Sequence, residues 1–130
     1  MTTAGPAAQT SVTVDAQDVR LLSLGQRTGG AEALVAVPGL GNVTATSVTL
    51  PPSPSQNLFA VINGLSLTTN TPAVVLIHPR QSLNQNKGWS DEFATQVITT
   101  STTEIQVLVR RLDANSGWGQ NLRLDILIID

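Results

Sequence analysis

The chain has no cysteine and a single histidine, His78, which excludes a disulfide framework and any thiolate or multi-histidine metal site. Aromatic residues are 3% of the 130 residues, and tyrosine is missing altogether. Charge is scarce too: Asp, Glu, Lys and Arg together make 12%, where an ordinary soluble domain carries about 25%. The deficit is local, since none of these four occurs from Ala33 to Ile77. With a net charge of -2, electrostatic attraction to nucleic acid or to an anionic membrane is not expected. No apolar run approaches the ~18 residues of a membrane-spanning helix, so no membrane insertion is expected. The opening MTTAGPAAQT has neither a basic nor an apolar secretory region. No signal peptide is therefore expected, the sequon Asn42-Val43-Thr44 carries no message, and localisation stays open.

What the chain does have is strand-forming sequence. β-branched residues alternate with polar ones in SVTVDA (11–16) and NVTATSVTL (42–50). The runs AEALVAVPG (31–39), NLFAVINGLSL (57–67) and PAVVLIHP (72–79) are more continuously apolar and read as strands covered on both faces. EFATQVITTST (92–102), EIQVLVRRLD (104–113) and NLRLDILIID (121–130) complete the set, while QDVRLLSLG (17–25) fits a strand or one helical turn. Turn residues recur between these runs, in GQRTGG, PGLGN, PPSPSQN, TTNTP, NQNKGWS and DANSGWGQN. PPSPSQN reads as an extended crossover between sheets. The pattern predicts an all-β fold: an antiparallel β-sandwich, jelly-roll or lectin-like, of about seven to nine strands. It forms one domain over 11–130, behind a small-residue arm at 1–10 that is expected to be flexible.

The last two runs read as a hairpin with Arg110 opposite Asp125. Leu108 then faces Leu127 and Leu112 faces Arg123, while Ile105, Val107, Val109, Leu124, Ile126 and Ile128 form the core side. The outer side mixes Leu108, Leu112, Leu127 and Ile129 with Arg110, Arg123 and Asp125. Exposed ion pairs contribute only ~0.2–1 kcal/mol and do not account for four outward aliphatic residues. These seven residues are therefore the candidate oligomer interface, because monomers seldom keep an exposed apolar patch. A shortage of surface charge points the same way. Arg110, Arg111 and Arg123 with Asp113 and Asp125 read as a structural ion-pair network.

Both tryptophans sit in loops, in NKGWSDEF and in DANSGWGQN. Two readings are open. Each indole plugs an end of the sandwich, or an indole stacks on a sugar while neighbouring amides and a carboxylate read its hydroxyls. The second makes Trp89, Asp91, Asn115, Trp118, Gln120 and Asn121 candidate ligand-binding residues. Gly117 and Gly119 are expected to supply turns of positive φ around Trp118. Catalytic patterns are missing. His78 in VVLIHPR reads as a strand-end residue, with no G-x-S-x-G elbow beside it. Asp91 and Glu92, adjacent on a strand, point to opposite faces and make a poor acid–base pair. Asp113-Ala-Asn115-Ser-Gly117 lacks the later ligands of a calcium loop, and GLGN leads into a strand, not a phosphate-binding helix. No catalytic residue, metal or cofactor is expected.

From Thr71 onward the order TPAVVLI, polar loop, FATQVITTSTTEIQVLV and closing LRLDILIID resembles the H-type lectin fold. The GWGQNLRLD ending is similar to the C-terminal strand of phage attachment modules. The resemblance implies a small trimeric β-sandwich, either of virion type (tail-fibre, decoration or shell component) or a carbohydrate-binding lectin. None of the lectins' sugar-binding residues maps onto a position of this chain. The partners to be expected are further copies of the chain, other virion proteins, or surface glycans.

Overall fold

The structure, a computed structural model, describes residues 10–23, 42–82 and 88–130. Its described residues form eight strands and no helix. These are β1 (Thr10–Asp15), β2 (Gln17–Ser23), β3 (Asn42–Leu50), β4 (Asn57–Asn63), β5 (Val74–Gln81), β6 (Phe93–Thr100), β7 (Ile105–Arg111) and β8 (Leu122–Ile129). They make two four-stranded sheets, the first ordered β1-β4-β7-β6 and the second β2-β3-β8-β5. The all-β sandwich read from the sequence is therefore the observed fold. The ambiguous segment from Gln17 is strand. The expected strand 31–39 and residues 1–9 of the expected arm lie outside the described residues, whereas Thr10 already pairs with Leu58 in β1.

Alternation builds the core. Leu58, Ala60 and Ile62 of β4 and Ile105, Val107 and Val109 of β7 point inward from the first sheet. Val48 and Leu50 of β3 and Leu122, Leu124, Ile126 and Ile128 of β8 meet them from the second. All belong to one buried cluster, and each buried Leu, Ile or Val side chain contributes roughly 1.5–3 kcal/mol. Strand ends follow local chemistry. Pro51 and Pro52 stop β3 by removing ladder donors, and Gly64, at φ 85°, ends β4 in a conformation side chains resist.

Two features depart from the expectation. First, the sheets are not wholly antiparallel, because β1 runs parallel to β4. The chain then passes through Ala16 directly from the first sheet into β2 of the second, with Ala16 N–H still donating to Asn63 O at 2.8 Å. Second, β7 and β8 are not a hairpin. β7 lies between β4 and β6, and β8 between β3 and β5. Arg110 is opposite Asn57 and Ala94; Asp125 is opposite Ser47 and His78. The loop 112–121 is too long for a tight turn and is anchored midway, where Trp118 and Ser53 exchange backbone hydrogen bonds at 2.9 and 3.1 Å. It carries the chain across the end of the sandwich. The predicted inward residues of both strands are inward, because alternation is a property of each strand alone. Their outward sides lie on opposite surfaces. PPSPSQN likewise carries the chain from the second sheet to the first. Coverage on both faces fails for β5: it is an edge strand whose Leu76 and His78 are exposed.

Candidate functional site

Two concavities flank β5. The first is a groove of about 520 Å³ on the outer surface of the second sheet. Rows of opposed residues build it. Arg20, Ala45, Leu127 and Leu76 form one row, and Ser47, Asp125 and His78 form the next. A third row sets Thr49, Arg123 and Arg80 side by side. At the other end, Val43, Ile129 and Val74 are aligned. The surface is thus apolar towards one end and polar towards the other. Leu76 is 57% exposed and Leu127 36%.

Asp125 organises the polar half. Arg123 Nε donates to its Oδ1 at 2.8 Å, and Arg80 Nε stands 2.8 Å from Oδ2, a charge contact out of hydrogen-bond alignment. One carboxylate is thus shared by two guanidinium groups, beside an exposed His78. At the groove's rim the β2 register shifts between Gln17 and Arg20, and Asp18 takes φ 50°. A left-handed non-glycine residue of this kind is uncommon.

The second concavity, about 460 Å³, is lined by His78, Pro79, Arg80, Trp89, Asp91, Glu92, Phe93 and Leu112. Phe93 is the keystone beneath it. Its ring stands 5.8 Å from Trp89 and 4.8 Å, edge-on, from Trp118. Arg111 ties the surrounding loops. It pairs with Asp91 at 3.1 Å and Asp113 at 3.0 Å, and donates from Nη1 to Gly117 O at 2.7 Å. The hydrogen bond from Arg111, with help from the Glu92 backbone N–H, lowers the Asp113 pKa to about 2. The same bond to Asp113 raises that of Arg111.

No protein-family model matches the chain, and no curated protein or solved structure is similar enough to match it.

The sequence-predicted residues are only partly brought together. Trp89 and Asp91 share the second concavity. Asn115, Gln120 and Asn121 are exposed and do not line it. Trp118 is 5% exposed and belongs to the core cluster, so its ring has no free face; it plugs the sandwich end. Gly117 and Gly119 do not have positive φ. What position 117 requires is space: a Cβ there would fall 1.8 Å from Ser53 O. The seven outward residues divide. Leu108 and Arg110 lie on the first sheet; Arg123, Asp125, Leu127 and Ile129 on the second; Leu112, beyond the end of β7, lines the Trp89 concavity. The ion pairs divide as well, Arg111 with Asp91 and Asp113, Arg123 and Arg80 with Asp125, while Arg110 makes none among the described residues.

Sequence reasoning missed Arg20, Ser47 and Leu76 in the groove and Arg80, which lines the second concavity and pairs with Asp125. The spacing Leu76, His78, Arg80 at every second residue was a visible signal that all three share a face. Their neighbour Asp125 could be found only by knowing that β5 pairs with β8.

Proposed function

We propose that the protein is a non-catalytic β-sandwich module that works as a homo-oligomer, a structural or attachment component of a larger particle of the virion kind. One observation carries the reading. The exposed Leu76 and Leu127 are directly opposed on neighbouring strands and, with the half-buried Ala45, Ile129 and Val74 beside them, make one apolar field on an outer surface. Such a field is costly to leave in water, and covering each exposed leucine would contribute roughly 1 kcal/mol or more. The clamped Asp125 beside it provides a polar border of the sort interfaces use. Few surface charges oppose close packing of copies. Sedimentation of the full chain at micromolar concentration tests this: a multiple of the monomer mass is expected, whether trimer or other, and a stable monomer rejects the reading.

A second reading is favoured by the Trp89 concavity. A half-buried indole, two carboxylates and Arg80 line a hollow that has the size and mixed character of a small sugar site. Titration with simple sugars should quench Trp89 fluorescence, and Trp89→Phe should abolish the response. No response in the millimolar range removes this reading.

A further inference from the structure

A sheet that ends in an open edge invites another strand, and proteins blunt such edges with proline, bulges or charge. Among the described residues this sandwich has four edges: β1 and β6 on the first sheet, β2 and β5 on the second. Three are blunted. β5 carries Pro79, which has no N–H to offer. β6 has a register irregularity between Val97 and Thr99. β2 is broken between Gln17 and Arg20, where Asp18 leaves the extended conformation. β1 alone has no such device. Thr10–Asp15 runs in unbroken register with Leu58–Asn63, without proline, glycine or a basic residue. Among the described residues no strand pairs with its other side.

Resting on the self-association proposed above, we propose that the β1 edge is a second contact between copies, separate from the apolar field. Two β1 strands pair antiparallel about a two-fold axis through Thr13, which joins two four-stranded sheets into one continuous sheet. The backbone direction selects this register. Ala16 N–H bonds to Asn63 of β4, so with the two-residue period of a strand Thr10, Val12 and Val14 turn their backbone groups to β4. Ser11, Thr13 and Asp15 turn theirs outward. An antiparallel partner centred on Thr13 matches all three: Thr13 with Thr13 of the partner subunit, and Ser11 with Asp15 of the partner subunit, twice over. That is about six backbone hydrogen bonds. It also sets Val12 beside Val14 of the partner subunit on the inner side, where both already pack against the core. The two Asp15 carboxylates fall at opposite ends of the pair, so no like charges face each other. A contact of this type gives an even number of copies, a dimer or paired larger rings.

The absence of cysteine makes a direct test clean. In Thr13→Cys the paired Cα atoms would be about 5.5 Å apart, but at a hydrogen-bonded pair the Cβ atoms stand too far apart for an unstrained disulfide, so a short thiol-to-thiol crosslinker is the probe. It should convert most of this variant to a covalent dimer. Ser11→Cys, displaced along the strand from its own copy, should stay uncrosslinked. Thr13→Pro and Thr13→Lys, whose changes fall on the outward edge, should keep the strand-rich circular dichroism spectrum and lose the dimer contact, with a shift to lower mass. If the wild-type chain is oligomeric but Thr13→Cys does not crosslink, or Thr13→Pro and Thr13→Lys both retain the wild-type mass, the β1 contact is wrong while self-association stands. If the wild-type chain is a monomer at micromolar concentration, both fail.

Discussion

The two glycines beside Trp118 should respond oppositely to the same change. A Cβ at position 117 would lie 1.8 Å from Ser53 O, 2.6 Å from Pro54 C and 2.8 Å from Ser53 C, all backbone atoms that cannot rotate away. Gly117→Ala must therefore push the loop off the Ser53 segment. That breaks the Ser53–Trp118 hydrogen bonds at 2.9 and 3.1 Å and disturbs the Arg111 bond to Gly117 O at 2.7 Å. At about 0.5–1.5 kcal/mol for each bond, with partial exposure of the indole added, the loss should be ~3–5 kcal/mol. Against a typical stability of roughly 5–15 kcal/mol the variant should still fold. At position 119 a Cβ meets nothing within 4 Å and φ is not positive, so Gly119→Ala should be neutral or stabilising by up to about 1 kcal/mol. Urea unfolding followed by tryptophan fluorescence, at one fixed protein concentration, reads both. A Gly117→Ala loss below about 1 kcal/mol, or equal effects at the two sites, would refute the close-approach argument.

Three further outcomes follow from the same geometry. Trp118→Ala should cost ~3–5 kcal/mol, whereas Trp118→Phe should cost far less, because the buried indole N–H has no hydrogen-bond partner among the described residues to lose. Thermal melts of both variants decide this. Asp113 is depressed to about 2 from 3.8, so its pairing stabilises the fold fully above the unfolded value and that contribution is lost as pH falls towards 2. Melts of wild type and Asp113→Asn should differ at pH 5 and converge near pH 2, and a gap that persists at pH 2 contradicts the assignment. Leu76→Asp with Leu127→Asp should leave the circular dichroism spectrum unchanged while lowering the mass of any oligomer; a mass equal to wild type would show that the apolar field is not the covered surface.

The elements were legible because strand alternation is local. Residues 42–50 form β3 over the whole expected span, and the inward residues of β7 and β8 are those that alternation selects. Pairing was not legible, because it is decided by strands far apart in the chain. The order of apolar residues in β7 and β8 is compatible with a hairpin, and it is the ladders with the distant β3 and β5 that hold β8 in the other sheet. The same limit applies to charges. Arg123 and Asp125 are two residues apart on one strand and visibly share a face, but Arg80 joins them across β5 and β8. The Trp loops advertised their composition and not their exposure: with similar Gly-Trp surroundings, Trp118 is a buried plug and Trp89 is half-buried.

One detail of the topology bears on how the molecule is made. β8 follows seven strands in the chain yet is an interior member of the second sheet, flanked by β3 and β5. Until residues 122–129 emerge during synthesis, β3 lacks its partner on the side away from β2, and β5 has no partner in its sheet. Among the described strands only β2 with β3 and β6 with β7 are neighbours both in sequence and in a sheet; every other pairing joins strands that are not consecutive. Completion of the second sheet is thus a late, long-range event, of the kind that makes β proteins slow to fold and dependent on protection while they do so.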